Sequence, residues 1–300
     1  MPHNLPFVDA HVHLWDLDHI AYPWLTPPFA DDGPNGSVER IAQTYRLDDY
    51  LAETAGWDVR GIVHVDAGAD APAALDETQW LQGIADARGM PNAIIAFAAL
   101  DDPEVEALLE AHAAHPNVRG IRHIVNWHAD PQRTYTPRDV TQDAAWAAGF
   151  ALLAKYGLSF DLQAYPGQFV ALAELIARHP DTHVVINHTG MAVPGEWDVW
   201  RSGMAALAAL PNVAVKLSGV GFTHRPWTID QVRPYILDAI GLFGPTRALF
   251  ASDLPTDRLF GSVAQHLDAY DAITAGFSDD ERRALWGRNA NRIYRLGLDI

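Results

Sequence analysis

An α/β chain folded as a (β/α)8 TIM barrel, one domain over residues 1–300 with its site at the C-terminal ends of the strands, is the architecture this sequence predicts. Three observations carry it. Eight short runs rich in Val, Ile, Leu and Phe recur along the 300 residues. Segments of helical spacing separate most of them, the alternation that builds a parallel sheet. Several runs, "HVVI" and "AIIAFAAL" among them, are apolar nearly throughout, as strands covered on both faces are. A doubly wound open sheet competes, but it usually has fewer strands. No Gly-x-Gly-x-x-Gly follows the first run, and no organic cofactor is expected.

The elements follow in order. A strand at 7–10 leads into a Pro/Gly/Asp-rich stretch, 16–49, containing "YPWLTPPFADDGPNG". It is too long for a simple βα loop and would lie over the site of a barrel. Strands at 61–65, 93–100, 118–121, 158–162, 184–186 and 213–217 precede helical segments at 73–87, 103–115, 142–156, 168–178, 197–209 and 229–242. A strand at 248–252 comes last, and 279–296 reads as a terminal helix with Ser278 as its N-cap.

Composition narrows the function. The chain is 49% hydrophobic and 20% charged, with a net charge of −17. That acidity argues against nucleic acid and anionic membranes as partners. The expected partner is a small-molecule substrate, and a homo-oligomer is compatible with the sequence. Cysteine is absent, which removes disulfides, thiolate metal sites and a Cys nucleophile. The opening "MPHNLPFVDA" has no basic stretch followed by an apolar one, so a cytoplasmic protein is expected.

Polar groups stand at nearly every strand end: His11 and His13, His64 and Asp66, Arg122 and His123, Asp161 and Gln163, His188, Lys216, and Asp253. Catalytic groups of barrels sit there. His11, His13, His188 and Asp253 form a set with two readings. Neutral imidazoles and a carboxylate suit one divalent ion, zinc or manganese. The same groups can polarise a carbonyl and take a proton from water without metal. Either way, the chemistry is hydrolysis by activated water. A serine triad is a weak rival, since no Gly-x-Ser-x-Gly occurs.

The segments "VDAHVHLWD" with "YPWL", "RGIRH", "NHTG", "VKLSG", "FASDLP" and "LWGRNANRIYRL" span the chain, and in them it resembles the amidohydrolase superfamily, within it the group that includes sugar lactonases and 2-pyrone-4,6-dicarboxylate lactonases. The resemblance implies that His11, His13, His188 and Asp253 are the catalytic set, with Asp253 activating the attacking water. Binuclear members carry a bridging Lys or Glu after strand four, where this chain has Arg122 and His123. A strand-five histidine is replaced by "FDLQ". A two-metal site is therefore not expected.

The leading expectation is a lactonase acting on a small polar lactone derived from a sugar or a dicarboxylate. Arg122 would hold a substrate carboxylate or hydroxyl. His123, Gln163 and Asp66 would contact ring hydroxyls, and Lys216 would face a carboxylate or reach across the barrel. A metal-dependent decarboxylase of an aromatic or unsaturated acid is the alternative within the superfamily. A catalytically dead barrel acting as a binding protein is the alternative from another class. The loop aromatics Trp127, Trp197, Trp200, Phe222 and Trp227 either pack the rim or meet substrate.

Overall fold

The computed structural model describes residues 3–31 and 33–300. Eight parallel strands form one sheet in sequence order. They are β1 (His3–Val12), β2 (Trp57–Val65), β3 (Ala93–Phe97), β4 (Val118–Ile124), β5 (Ser159–Gln163), β6 (Val184–Ile186), β7 (Val213–Leu217) and β8 (Ala248–Phe250). The sheet closes on itself through two bonds past the end of β8. The Asp253 N–H donates to the His11 carbonyl at 2.9 Å, and the His13 N–H donates to the Leu254 carbonyl at 2.7 Å. The seam of the (β/α)8 barrel thus runs through three of the four residues in the expected catalytic set.

Side-chain alternation along the strands divides the core into two layers. Phe7, Ile62, Ile94, Ile121, Phe160, Val215 and Phe250 face the surrounding helices. Val8, Val63, Ile95, Val185, Ala214 and Leu249 fill the barrel interior, with Ala290 and Tyr294 of the C-terminal segment against them. Charged residues at interior positions, such as Asp161 and Lys216, therefore have no route to water and must find partners inside.

The helical segments expected at 73–87, 103–115, 142–156, 168–178, 197–209 and 229–242 are all present, most trimmed by a few residues or ending in short 3-10 turns. Strand 93–100 stops at Phe97, and the last strand stops at Phe250 rather than 252. The terminal helix is interrupted. Residues Asp279–Arg283 are α-helical with Ser278 as N-cap, Ala284–Arg288 form a π turn, and Asn289–Ile293 resume the α-helix. The wider turn carries Trp286, whose ring packs within 4.7–5.3 Å of Phe7, Trp57 and Phe250. Helices Leu47–Glu53 and Val263–Ile273 were not expected. The second starts from a capping box, Ser262 with Gln265, a signal readable in the sequence. Among the described residues no helix is long and apolar enough to cross a membrane.

Candidate active site

Alternation alone would not bring His11, in β1, and His13, just past its end, inward. Val8 and Ala10 belong to the interior layer, so His11 and His13 would face out. A register shift against β2 lies between Asp9 and Val12. Such an irregularity re-aims the side chains that follow it. The His11 and His13 rings then lie together, with Nε2 atoms 3.2 Å apart. The outward Asp9 anchors the distortion by accepting from the Ser252 N–H at 2.9 Å and the Tyr50 hydroxyl at 2.9 Å.

Asp253 sits at the centre of the cluster. Its Oδ1 lies 3.4 Å from His11 Nε2 and 3.2 Å from His13 Nε2, and its Oδ2 lies 3.8 Å from His188 Nδ1. The residue is buried, and neither oxygen has a hydrogen-bond partner. Buried carboxylate oxygens are rarely left so, which marks them as reserved for a ligand or for water. Backbone strain falls at the same place. Asp253 has φ +55° and His188 φ +52°, conformations that cost non-glycine residues of order 1–3 kcal/mol and cluster at functional sites. Gly219 backs His188 so closely that a Cβ there would meet its ring atoms at 2.8 Å.

The hydrogen bonds assign ring protons. His13 Nδ1 lies 2.8 Å from the Val65 carbonyl, which only accepts, so Nδ1 carries the proton and Nε2 keeps its lone pair. His11 Nδ1 faces the Lys216 ammonium at 3.4 Å. An ammonium only donates, so the proton of His11 is on Nε2, aimed at His13 and Asp253. Burial, reinforced by Lys216, holds His11 well below the ordinary histidine value. Burial pushes His188 down to about 4 against the pull of Asp253. For Asp253 burial acts upward, but the surrounding histidines, His188 first, and Arg122 outweigh it and keep the carboxyl below its usual value. At neutral pH Asp253 is an ionised carboxylate beside the neutral imidazoles of His11 and His188.

The other expected residues fall into three groups. Arg122 and Gln163 line a cavity of about 310 Å³ together with His13, His188 and Asp253. Arg122 is already committed: its Nε donates to the Asp66 carboxylate, one Nη to the Asp66 carbonyl, and the other Nη to Gln163 Oε1 at 3.0 Å. Three of its five N–H groups are used, and Asp66 is its counter-ion rather than a ligand for ring hydroxyls. Lys216 lies beneath the cavity. It pairs with Asp161 at 3.0 Å, and Asp161 also accepts from the Tyr294 hydroxyl at 2.8 Å. Of its two expected roles, it takes the one across the barrel.

His123 requires a correction. It neighbours Arg122 on β4, so it points to the opposite face of the sheet. Its Nδ1 accepts from the Leu100 N–H and the Trp146 indole N–H, both at 3.2 Å. It belongs to the packing between strand and helix and does not line the cavity.

The remaining walls include Trp24, Asn35, Tyr135, Phe222 and Thr256, all from the segments that follow the strands. The Phe222 ring lies tilted at 53° against His188, with centroids 5.1 Å apart. Trp24 donates its indole N–H to the Ala67 carbonyl at 2.8 Å. Gly68, at φ +73°, leaves room for that ring, since a Cβ would come within 2.9 Å of the indole nitrogen. Of the other aromatics, Trp197 and Trp200 lie in the helix Trp197–Ala208 rather than in a loop, and pack on Tyr235. Trp127 is an exposed large hydrophobic.

One ligand atom each from His11, His188 and Asp253 lies within 4.8 Å of the others. Two imidazoles and a carboxylate with unpartnered oxygens fit a divalent ion such as zinc or manganese. Ligation through His11 Nε2 would require its proton to move to Nδ1, facing the ammonium of Lys216. That arrangement weakens the site relative to one with an uncharged neighbour.

The amidohydrolase family model matches residues 8–296. The Sinorhizobium fredii protein y4mH is 41% identical over 300 residues, covering 98% of this chain and 99% of the relative. An L-fucono-1,5-lactonase of Burkholderia multivorans is 29% identical over 314 residues, covering 96% of each chain. The crystal structure of a Burkholderia multivorans amidohydrolase with bound zinc superimposes with a TM-score of 0.76 at 26% identity, over 97% of this chain and 99% of that one. The chain belongs to the amidohydrolase family.

Proposed function

We propose that this chain hydrolyses a small, uncharged, polyhydroxylated lactone of the sugar type. The observation that carries the reading is the charge balance around the cavity. Arg122 is paired with Asp66 and Lys216 with Asp161, so Asp253 is the uncompensated charge among the catalytic groups. A dicarboxylate would enter against it; a neutral ring would not. The same argument disfavours an aromatic acid presented for decarboxylation. The cavity volume suits a single substituted ring. Trp24, Tyr135 and Phe222 offer apolar faces to its C–H groups, and Arg122 and Gln163 offer polar groups to its hydroxyls. The relationship to lactonases supports the bond type.

In this mechanism Asp253 takes a proton from a water molecule as the oxygen attacks the lactone carbonyl. His188 and the free N–H groups of Arg122 face the oxygen on which negative charge develops. Collapse of the tetrahedral intermediate breaks the ring C–O bond, and the proton held by Asp253 passes to the departing ring oxygen. The product is a hydroxycarboxylate, and one proton is released to solvent. A divalent ion, when bound by His11, His188 and Asp253, would supply Lewis-acid polarisation.

The pH profile tests this assignment. Asp253 and His188 lose their working states only on protonation, and the shifts place that at about pH 4 for His188 and below the usual carboxylate value for Asp253. kcat/KM is therefore expected to be flat from pH 8 to about 5 and to fall below about 4.5. Half-maximal activity between 5.5 and 7 would show an unshifted histidine in control and contradict the assignment.

A further inference from the structure

A second cleft of about 370 Å³ adjoins the catalytic cavity, and Asn35 lines both. Phe222 of the cavity and Phe260 of the cleft meet edge to face at 5.0 Å and form the partition. The cleft is cationic in a chain of net charge −17. Arg40 and Arg225 line it, and among the described residues neither has a carboxylate partner. Arg225 spends its bonds on the backbone carbonyls of Gly221 at 3.0 Å and Pro34 at 2.6 Å, and lies over the Phe260 ring at 4.6 Å. His224, also in the wall, has a buried Nδ1 without a hydrogen-bond partner.

These features complement what the proposed reaction makes. Ring opening turns a neutral lactone into a carboxylate within a few ångströms of Asp253, where like charges repel. The neighbouring cleft offers unpaired guanidinium groups, whose planar fork matches a carboxylate. We propose that this cleft is a carboxylate subsite that receives the polyhydroxy monocarboxylate product as it leaves the catalytic cavity. The proposal rests on the lactonase reading.

Calorimetric titration of the purified chain with gluconate, a stable sugar acid, tests the subsite without turnover. Gluconate is expected to bind the wild type, more weakly as salt is raised, with affinity at least fivefold lower in Arg40→Gln and in Arg225→Gln. Arg225→Lys is expected to recover part of the loss, which a purely structural role for Arg225 would not give. Thermal melting confirms that each variant is folded. No binding to the wild type would overturn the proposal. So would binding that survives both Gln variants but is lost in Arg122→Met, since that would place the carboxylate in the catalytic cavity. Binding through Arg40 and Arg225 in a chain that turned over no lactone would uphold the anion site while refuting the reaction assigned to its neighbour.

Discussion

Asp253→Asn is expected to lower kcat/KM for a neutral aldonolactone by roughly 1,000-fold, within the range for loss of a positioned general base. The loss should fall on kcat, with KM nearly unchanged, because the group acts on water in the transition state. Asparagine is the appropriate probe. It is isosteric, tolerates the φ of +55° found here better than most residues, and keeps the backbone N–H that bonds the His11 carbonyl across the barrel seam. It also leaves no buried charge behind. A variant that folds and retains more than about a tenth of wild-type kcat/KM would remove Asp253 from the role of base.

Lys216→Met is expected to destabilise the fold by roughly 3–5 kcal/mol, the cost of leaving one partner of a buried ion pair uncompensated. Lys216 and Asp161 are both fully buried at 0% exposure. Without the ammonium, Asp161 would keep only the neutral donors Tyr294 and Asn187. In a chain of this size the melting temperature should fall by on the order of 10 °C. Asp161→Asn in the same chain should recover most of it, because the stranded charge is then gone. A melting temperature within about 2 °C of wild type for Lys216→Met would mean that the pair is not under the burial described.

The fold was legible because its strongest signal is local. Apolar runs such as Val184–Ile186 and Val213–Leu217 are bounded by turn residues and coincide with the observed strands. The candidate site was legible for a related reason: polar residues at the ends of apolar runs are costly unless used, and His188, Arg122, Gln163 and Asp253 do converge on one cavity. What escaped depends on tertiary structure. The register shift in β1 that turns His11 and His13 inward has no sequence signature. Strand alternation separates His123 from Arg122, although both stand at the end of the same apolar run. The partners that neutralise Arg122 and Lys216 lie 56 and 55 residues away in the chain, at Asp66 and Asp161. Arg122 and Lys216, each offered by the sequence as a group for a substrate carboxylate, are thus already paired. Tyr135 and Asn35, joined at 2.6 Å across 100 residues, sit in long loops with no periodicity to place them.

The central claim is that a water activated by Asp253 opens an uncharged lactone in a cavity whose cations are already paired. Its most direct test is the ratio of kcat/KM for a neutral six-carbon aldono-1,5-lactone to that for 2-pyrone-4,6-dicarboxylate, measured on the same preparation. A ratio of at least about 100 is expected, since two substrate carboxylates would have to approach the unpaired charge of Asp253. A ratio below one, with the dicarboxylate the better substrate, would contradict it.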